Sequence, residues 1–217
     1  MARYTLVIGN KAYSSWSLRP WLVLRHAGIA FDEVRIPLYQ DGHQAKLARY
    51  TPAGRVPVLI DGDATVWESL AICEHLADKH PDKKLWPADG AARAHARAIS
   101  AEMHAGFAAL RGNMSMNVRR SFPGCGMTPD VKTDIERIEA MWNDCLKRFR
   151  GPFLCGAFSI ADAMYAPVAT RFRTYGVTLS GAAQPYAEMM LALPAMQEWY
   201  AAARTEAEVL PQYEYPD

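Results

Sequence analysis

Cysteine is scarce in this 217-residue chain: Cys73, Cys125, Cys145 and Cys155, no two of them close together. There is no C-x-x-C and no Cys/His ligand spacing, so no structural zinc or other metal is expected, and the thiols read as reduced, buried small hydrophobes. An excess of either charge is also missing. Lys and Arg total 24 against 23 Asp and Glu, a formal charge of +1, which leaves no electrostatic footprint for nucleic acid or a membrane surface. No apolar run approaches the ~20 residues that cross a bilayer. The opening residues Met1 to Ile8 are too short and too quickly polar for a signal peptide, so a cytoplasmic location is expected. No G-x-S-x-G occurs, so no Ser-His-Asp hydrolase is implied. No internal repeat or low-complexity tract is visible.

What is present is a half-apolar chain, 50% hydrophobic and 22% charged, which excludes disorder. Its length suits one large domain or two small ones that bury roughly 70% of the surface the unfolded chain exposes. Residues 1–79 alternate strand and helix signals. Tyr4 to Ile8 is a β-rich run closed by Gly9-Asn10, and Leu18 to Ala27 is helical, closed by Gly28. Phe31 to Leu38 alternates apolar and polar as a half-buried strand does. Gln44 to Tyr50 suits one or two helical turns. Val56 to Ile60 and Ala64 to Trp67 pair across an Asp61-Gly62 turn, and Glu68 to Lys79 is helical. Residues 80–90 carry Pro81, Pro87, Gly90 and several charges and read as a linker. Residues 91–217 are helical almost throughout: an Ala-rich stretch from Ala91 to Ala109, a helix opened by Thr128-Pro129-Asp130 and stopped by Gly151-Pro152, another opened at Ser159, and a last near Pro194 to Ala207.

Three segments suggest chemistry. In Tyr13-Ser14-Ser15-Trp16-Ser17-Leu18-Arg19-Pro20, the proline is tolerated only in a first turn, which predicts a helix start near Trp16 or Ser17. Ser14 and Ser15 then stand before its positive end, as an anion site or as plain N-caps. In Arg55-Val56-Pro57-Val58-Leu59, the proline is either a cis bend or a trans residue at a strand edge. A bend would leave the backbone of Val56 free to pair with an extended peptide. In Trp67-Glu68-Ser69-Leu70, a hydroxyl and free N–H groups at a helix start suit a carboxylate and the acid suits an ammonium, together a receptor for an α-amino-acid head; a polar cap beside a solvated acid is the other reading.

The segments S-S-x-S-x-R, V-P-x-L and E-S, in this order and spacing, resemble the cytosolic glutathione S-transferases, and the serine segment is most similar to the zeta and other serine-type classes. Gly156 to Phe172 is similar to that family's folding motif, a capping box with Ser159 as cap and Asp162 three positions on. The resemblance covers nearly the whole chain. It implies an α/β thioredoxin-like N-terminal domain (1–79) and an all-α C-terminal helical domain (91–217), and a homodimer. It also implies glutathione as co-substrate beside a small electrophile. Val56 would pair with the cysteinyl unit across a cis Pro57, Glu68 and Ser69 would hold the γ-glutamyl head, and His43 or Gln44 would reach the glycine carboxylate. Ser14 or Ser15 would donate a hydrogen bond to the thiolate, with Trp16 beside them. Tyr13, the kind of donor that tyrosine-type classes use, is a rival whose place beside the serines suits packing. Trp16, Arg111, Met114, Asn117 and Arg119 are the candidates for the second-substrate pocket. The first cysteine, Cys73, lies far from the serine segment, which speaks against a glutaredoxin-like or dehydroascorbate-reducing role. Trp16 stands where the zeta pattern has a cysteine, which bears against maleylacetoacetate isomerisation. A glutathione-dependent isomerase and a non-catalytic glutathione- or partner-binding module are the alternatives.

Overall fold

The first strand, β1 (Tyr4–Ile8), is apolar on both faces, and such a strand has to lie inside a sheet. In the computed structural model, which describes residues 3–215, it lies between β2 (Phe31–Arg35) and β3 (Val58–Asp61), with β4 (Ala64–Trp67) at the far edge. β1 runs parallel to β2 (Leu6 opposite Glu33) and antiparallel to β3 (Leu6 opposite Leu59). β2 stops at Arg35, short of the expected Leu38: the ladder ends with the bond from Ile36 N–H to the Ile8 carbonyl, and Pro37 has no N–H to carry it further. The hairpin between β3 and β4 closes on Asp61 opposite Ala64, so its loop is Gly62-Asp63, one residue later than expected, with Gly62 at φ 60°.

One face of the sheet is covered by α1 (Ser15–His26) and α3 (Ser69–Lys79); the other carries a small cluster of Val7, Ile36, Leu47 and Val58 beside α2 (His43–Leu47). The remaining helices are α4 (Gly90–Ala105), α5 (Ala108–Asn113), α6 (Pro129–Phe149), α7 (Ile160–Tyr175), α8 (Ala183–Ala192) and α9 (Pro194–Arg204). The Ala-rich stretch is thus two helices, broken at Gly106 and at Phe107, whose φ is 56°. α8 gave no separate signal in the sequence.

The helix α7 is buried along nearly its whole length, and α1, α4 and α8 pack around it. Its start is the expected box: Ser159 donates both N–H (2.9 Å) and hydroxyl (3.1 Å) to Asp162 Oδ2, while Asp162 Oδ1 accepts from Leu154 N–H and the Tyr186 hydroxyl. Thr128 caps α6 as expected, its hydroxyl oxygen accepting from Val131 N–H. α1 and α9 join the two halves, with Trp21 and Trp199 in edge contact at 5.0 Å and Trp199 Nε1 donating to the Lys11 carbonyl. Burying aromatic groups of this size stabilises each by roughly 2–3 kcal/mol, so the helical half and the sheet half share one core.

Candidate active site

α1 begins at Ser15, a residue or two earlier than Pro20 suggested, and Ser14 is its N-cap. Pro20 is therefore the sixth residue of the helix, where its missing N–H leaves the Trp16 carbonyl without an intrahelical donor. The early start places two hydroxyls at the positive end of α1. Ser14 Oγ accepts from Ser17 N–H at 3.4 Å and lies 2.7 Å from Ser17 Oγ, and Ser17 Oγ accepts from Gly9 N–H at 3.1 Å. Ser15 Oγ accepts from Arg171 Nη2 at 3.3 Å.

Both serines open on a cavity of about 690 Å³ between the two halves. Trp16, His43, Gln44 and Val56 line it from the sheet side, Arg111, Met116 and Arg171 from the helical side, and Leu210 and Tyr213 from the C-terminal segment. His43 donates from Nδ1 to the Gln40 carbonyl at 2.8 Å, and its Nε2 lies 3.1 Å from the Gln44 amide nitrogen, so two contacts fix the ring's orientation. The Val56–Pro57 bond is cis, and the sheet pairing begins only at Val58. The backbone of Val56 thus borders the cavity outside the ladder, the arrangement required for receiving an extended peptide.

Glu68 and Ser69 are not among the residues lining the cavity. Ser69 opens α3, fully buried, and its hydroxyl accepts from Arg19 Nη1 at 3.4 Å. Glu68, just before it, sits at φ 69° with its side chain half exposed and 3.6 Å from His104 Nε2. A non-glycine residue in that region costs of order 1–3 kcal/mol, and such residues cluster at ligand clamps.

Of the five residues expected in the second-substrate pocket, Trp16 and Arg111 line the cavity and the other three do not. Met114 is fully buried in the core. Asn117 is also buried, its amide donating to Glu214 and to the Tyr213 carbonyl. Arg119 donates to the carbonyls of Glu206 and Glu208 and to the Tyr13 hydroxyl, clamping the C-terminal segment onto the sheet half. Tyr13, the rival donor, is engaged by the same clamp, since its hydroxyl donates to Glu214 Oε1 at 2.6 Å.

Three guanidinium groups gather here. Arg19 lies 4.3 Å and Arg111 5.4 Å from the Trp16 ring centroid, and Arg171 holds Ser15. Burial, then the charges of Arg171 and Arg111, pushes Arg19 down to about 9; burial brings Arg171 down to about 10. All remain cations at neutral pH, and the Nε of Arg19 is buried without a hydrogen-bond partner. Arg171 and Ser17 were not anticipated from the sequence. Nothing local distinguishes Arg171 from any other arginine of a helical stretch, whereas Ser17 stands in the serine segment itself. Among the described residues no group of three His, Cys, Asp or Glu is placed to hold a metal ion, and no helix is long and apolar enough to cross a membrane.

Residues 13–79 match the family model described as the glutathione S-transferase N-terminal domain, and residues 92–202 match that of the glutathione S-transferase C-terminal domain. This chain belongs to the glutathione S-transferase family. Among relatives, it is 29% identical over 168 residues to a probable maleylacetoacetate isomerase of Caenorhabditis elegans, covering 76% of this chain and 77% of that one. It is 33% identical over 95 residues to glutathione S-transferase Z2 of Arabidopsis thaliana, 42% of this chain and 41% of that one. Among solved structures, it is similar to a glutathione transferase homolog from Burkholderia GL BGR1 with bound glutathione (TM-score 0.71, 24% identity, 94% and 99% of the two chains). It is also similar to Ure2p in complex with glutathione (TM-score 0.71, 20% identity, 91% and 97%). These two likenesses concern the fold: the thioredoxin-like sheet half and the helical half. The chain's own residues contribute a backbone position outside the ladder at Val56, hydroxyls at a helix start and, among the described residues, a buried Arg19 whose Nε has no hydrogen-bond partner.

Proposed function

We propose that the protein is a glutathione transferase that holds the glutathione thiol as its thiolate for attack on a small electrophilic molecule. Residues 1–79 would bind glutathione, 80–90 link the halves, and 91–217 complete the electrophile pocket. The observation that carries this reading is the pair Ser14 and Ser15 at the start of α1, facing a cavity that Val56 borders beside a cis proline. A free thiol near pKa ~8.5 is only a few per cent ionised at pH 7. Lowering it by ~2 units, about 2.7 kcal/mol, makes the thiolate the major form. Hydrogen bonds to a charged acceptor, worth roughly 1.5–3 kcal/mol, and the helix N-terminus, worth roughly 0.3–1 kcal/mol, are of the size required. The serines are then donors, neither nucleophiles nor bases. Val56 would pair with the cysteinyl backbone beside Pro57, Glu68 and Ser69 would meet the γ-glutamyl head, and His43 or Gln44 the glycine carboxylate. Trp16 and Arg111 would face the electrophile.

The likeness to a probable maleylacetoacetate isomerase over three quarters of the chain supports a second reading, a glutathione-dependent isomerase. Assembly as a homodimer and a detoxifying role belong to the proposal on the family resemblance, and a cytoplasmic location on the scattered free cysteines. The test is turnover against a panel of electrophiles with glutathione counted. Net consumption supports the transferase, turnover without consumption supports the isomerase, and glutathione binding without any turnover would replace both by a binding module. Sedimentation of the purified protein tests the dimer.

A further inference from the structure

We propose that Ser17, which does not line the cavity, is the positioning residue that turns the hydroxyl proton of Ser14 into it. The proposal rests on the reading of Ser14 as a thiolate donor. Ser17 is fully buried, and its Oγ already accepts from Gly9 N–H at 3.1 Å. A buried hydroxyl hydrogen needs an acceptor, and the partner the structure offers is Ser14 Oγ, 2.7 Å away. Were Ser14 to donate to Ser17 instead, Ser17 Oγ would accept twice and its own buried proton would have no partner. The proton therefore runs from Ser17 to Ser14. Ser14 Oγ also accepts Ser17 N–H, so both of its lone pairs are filled by one residue. Its own hydrogen has no role left within the helix start. Ser14 lines the cavity, and the proton points there.

The chain of donors runs one way: Gly9 N–H to Ser17, Ser17 to Ser14, Ser14 to whatever anion occupies the cavity. Each bond polarises the next, so the terminal hydroxyl is a stronger donor than an isolated serine. The anchor is rigid, since Gly9 follows β1 in the centre of the sheet. A side chain on Gly9 would meet Leu38 at 2.7 Å and Val56 at 3.2 Å.

The experiment measures the pKa of glutathione's thiol in complex with the protein, from thiolate ultraviolet absorbance against pH, together with glutathione affinity and thermal midpoint. Ser17→Ala is expected to raise that pKa by about half a unit, roughly threefold less thiolate below it, with kcat falling and KM for glutathione nearly unchanged. Ser17→Thr, which restores the hydroxyl, should return the pKa towards the parent value. Ser100→Ala removes another buried hydroxyl, bonded to the Ala96 carbonyl in α4, and should lower the midpoint without moving the pKa. A pKa that rises in Ser14→Ala but stays put in Ser17→Ala overturns the positioning role and leaves Ser14 as donor. A pKa unmoved in both overturns the donor reading as well.

Discussion

Tyr13→Phe separates the phenol from the serines as the source of the thiolate's hydrogen bond. The substitution keeps the ring, which packs against Tyr213 at 5.7 Å, and deletes only the hydroxyl. That hydroxyl donates to Glu214 Oε1 at 2.6 Å and accepts from Arg119 Nη2 at 2.7 Å and from Leu210 N–H at 3.4 Å. Burial and the bond to Glu214 raise its pKa, so it stays protonated at neutral pH with its O–H directed at the carboxylate. Hydrogen bonds to charged groups are worth roughly 1.5–3 kcal/mol when desolvated. Here both charged partners keep other contacts: Arg119 still reaches the carbonyls of Glu206 and Glu208, and Glu214 still accepts from Asn117. The net cost is therefore placed at about 1–2 kcal/mol, or roughly 2–8 °C of thermal midpoint for a domain of this size. Denaturant unfolding measures that loss, and absorbance of the bound thiolate against pH measures the pKa. The expected outcome is a looser C-terminal segment and an unmoved pKa. A pKa that climbs in Tyr13→Phe as far as in the serine variants, with stability intact, would show that the tyrosine makes the bond and that its engagement with Glu214 has been misread.

Ser14→Ala and Ser15→Ala should each lower kcat/KM at neutral pH by about tenfold or more and move the alkaline rise of the pH profile upward; a profile displaced in neither variant contradicts the mechanism. Asp162→Ala strips the acceptor from Leu154 N–H, Ser159 N–H, the Ser159 hydroxyl and the Tyr186 hydroxyl, and should cost more than about 3 kcal/mol in urea unfolding, with Asp162→Asn milder. Burial raises the Asp162 carboxyl from 3.8 to about 6 against the pull of those donors. The folded chain then keeps a proton that the unfolded chain has released, so this contribution is complete below pH 4 and is lost as pH rises to about 6, a fall of about 3 kcal/mol. Stability of the parent minus that of Asp162→Asn, followed from pH 4 to 7, should show that fall, and a flat difference rejects it. Glu68→Gly relieves the backbone at φ 69° and removes the carboxylate, so the thermal midpoint should rise by the equivalent of about 1 kcal/mol while the KM for glutathione increases; an unchanged KM takes Glu68 out of the binding site.

Features set by neighbours a few residues away were legible in the sequence. The Thr128 and Ser159 caps, the hairpin, the alternation of strands and helices and the serine cluster all follow from local chemistry. The misreadings share one cause, a local rule overridden by packing at a distance. A missing N–H confines Pro20 to a first turn on local grounds, yet α1 starts at Ser15, where Arg171 of a distant helix meets the Ser15 hydroxyl and Leu18 packs into the core. Met114, Asn117 and Arg119 combined the right chemistry for a pocket, but the C-terminal segment, far along the chain, captures Asn117 and Arg119. Glu68 at positive φ carried no signal, because glycine is the residue that usually announces such a backbone.

The arginines show why neither half of the molecule suffices. Arg19 comes from α1, Arg111 from α5 and Arg171 from α7. Their hydrogen bonds go to the Ser69 and Ser15 hydroxyls and to the carbonyls of His104, Met114 and Pro167. Among the described residues no carboxylate lies within ion-pair distance of any of them; Asp134 acts on Arg111 only from further away. Arg171 and Arg111 each push the pKa of Arg19 down, so the three cations repel one another. Gathering three cations is therefore a cost that folding has met elsewhere, and an arriving anion relieves it. A serine pair in water has no such field, and a helix start alone supplies a fraction of it. In the proposed mechanism the serine hydroxyls and the helix start make the thiolate, and the arginines set a positive field around them. That field exists only where the sheet half and the helical half are packed together.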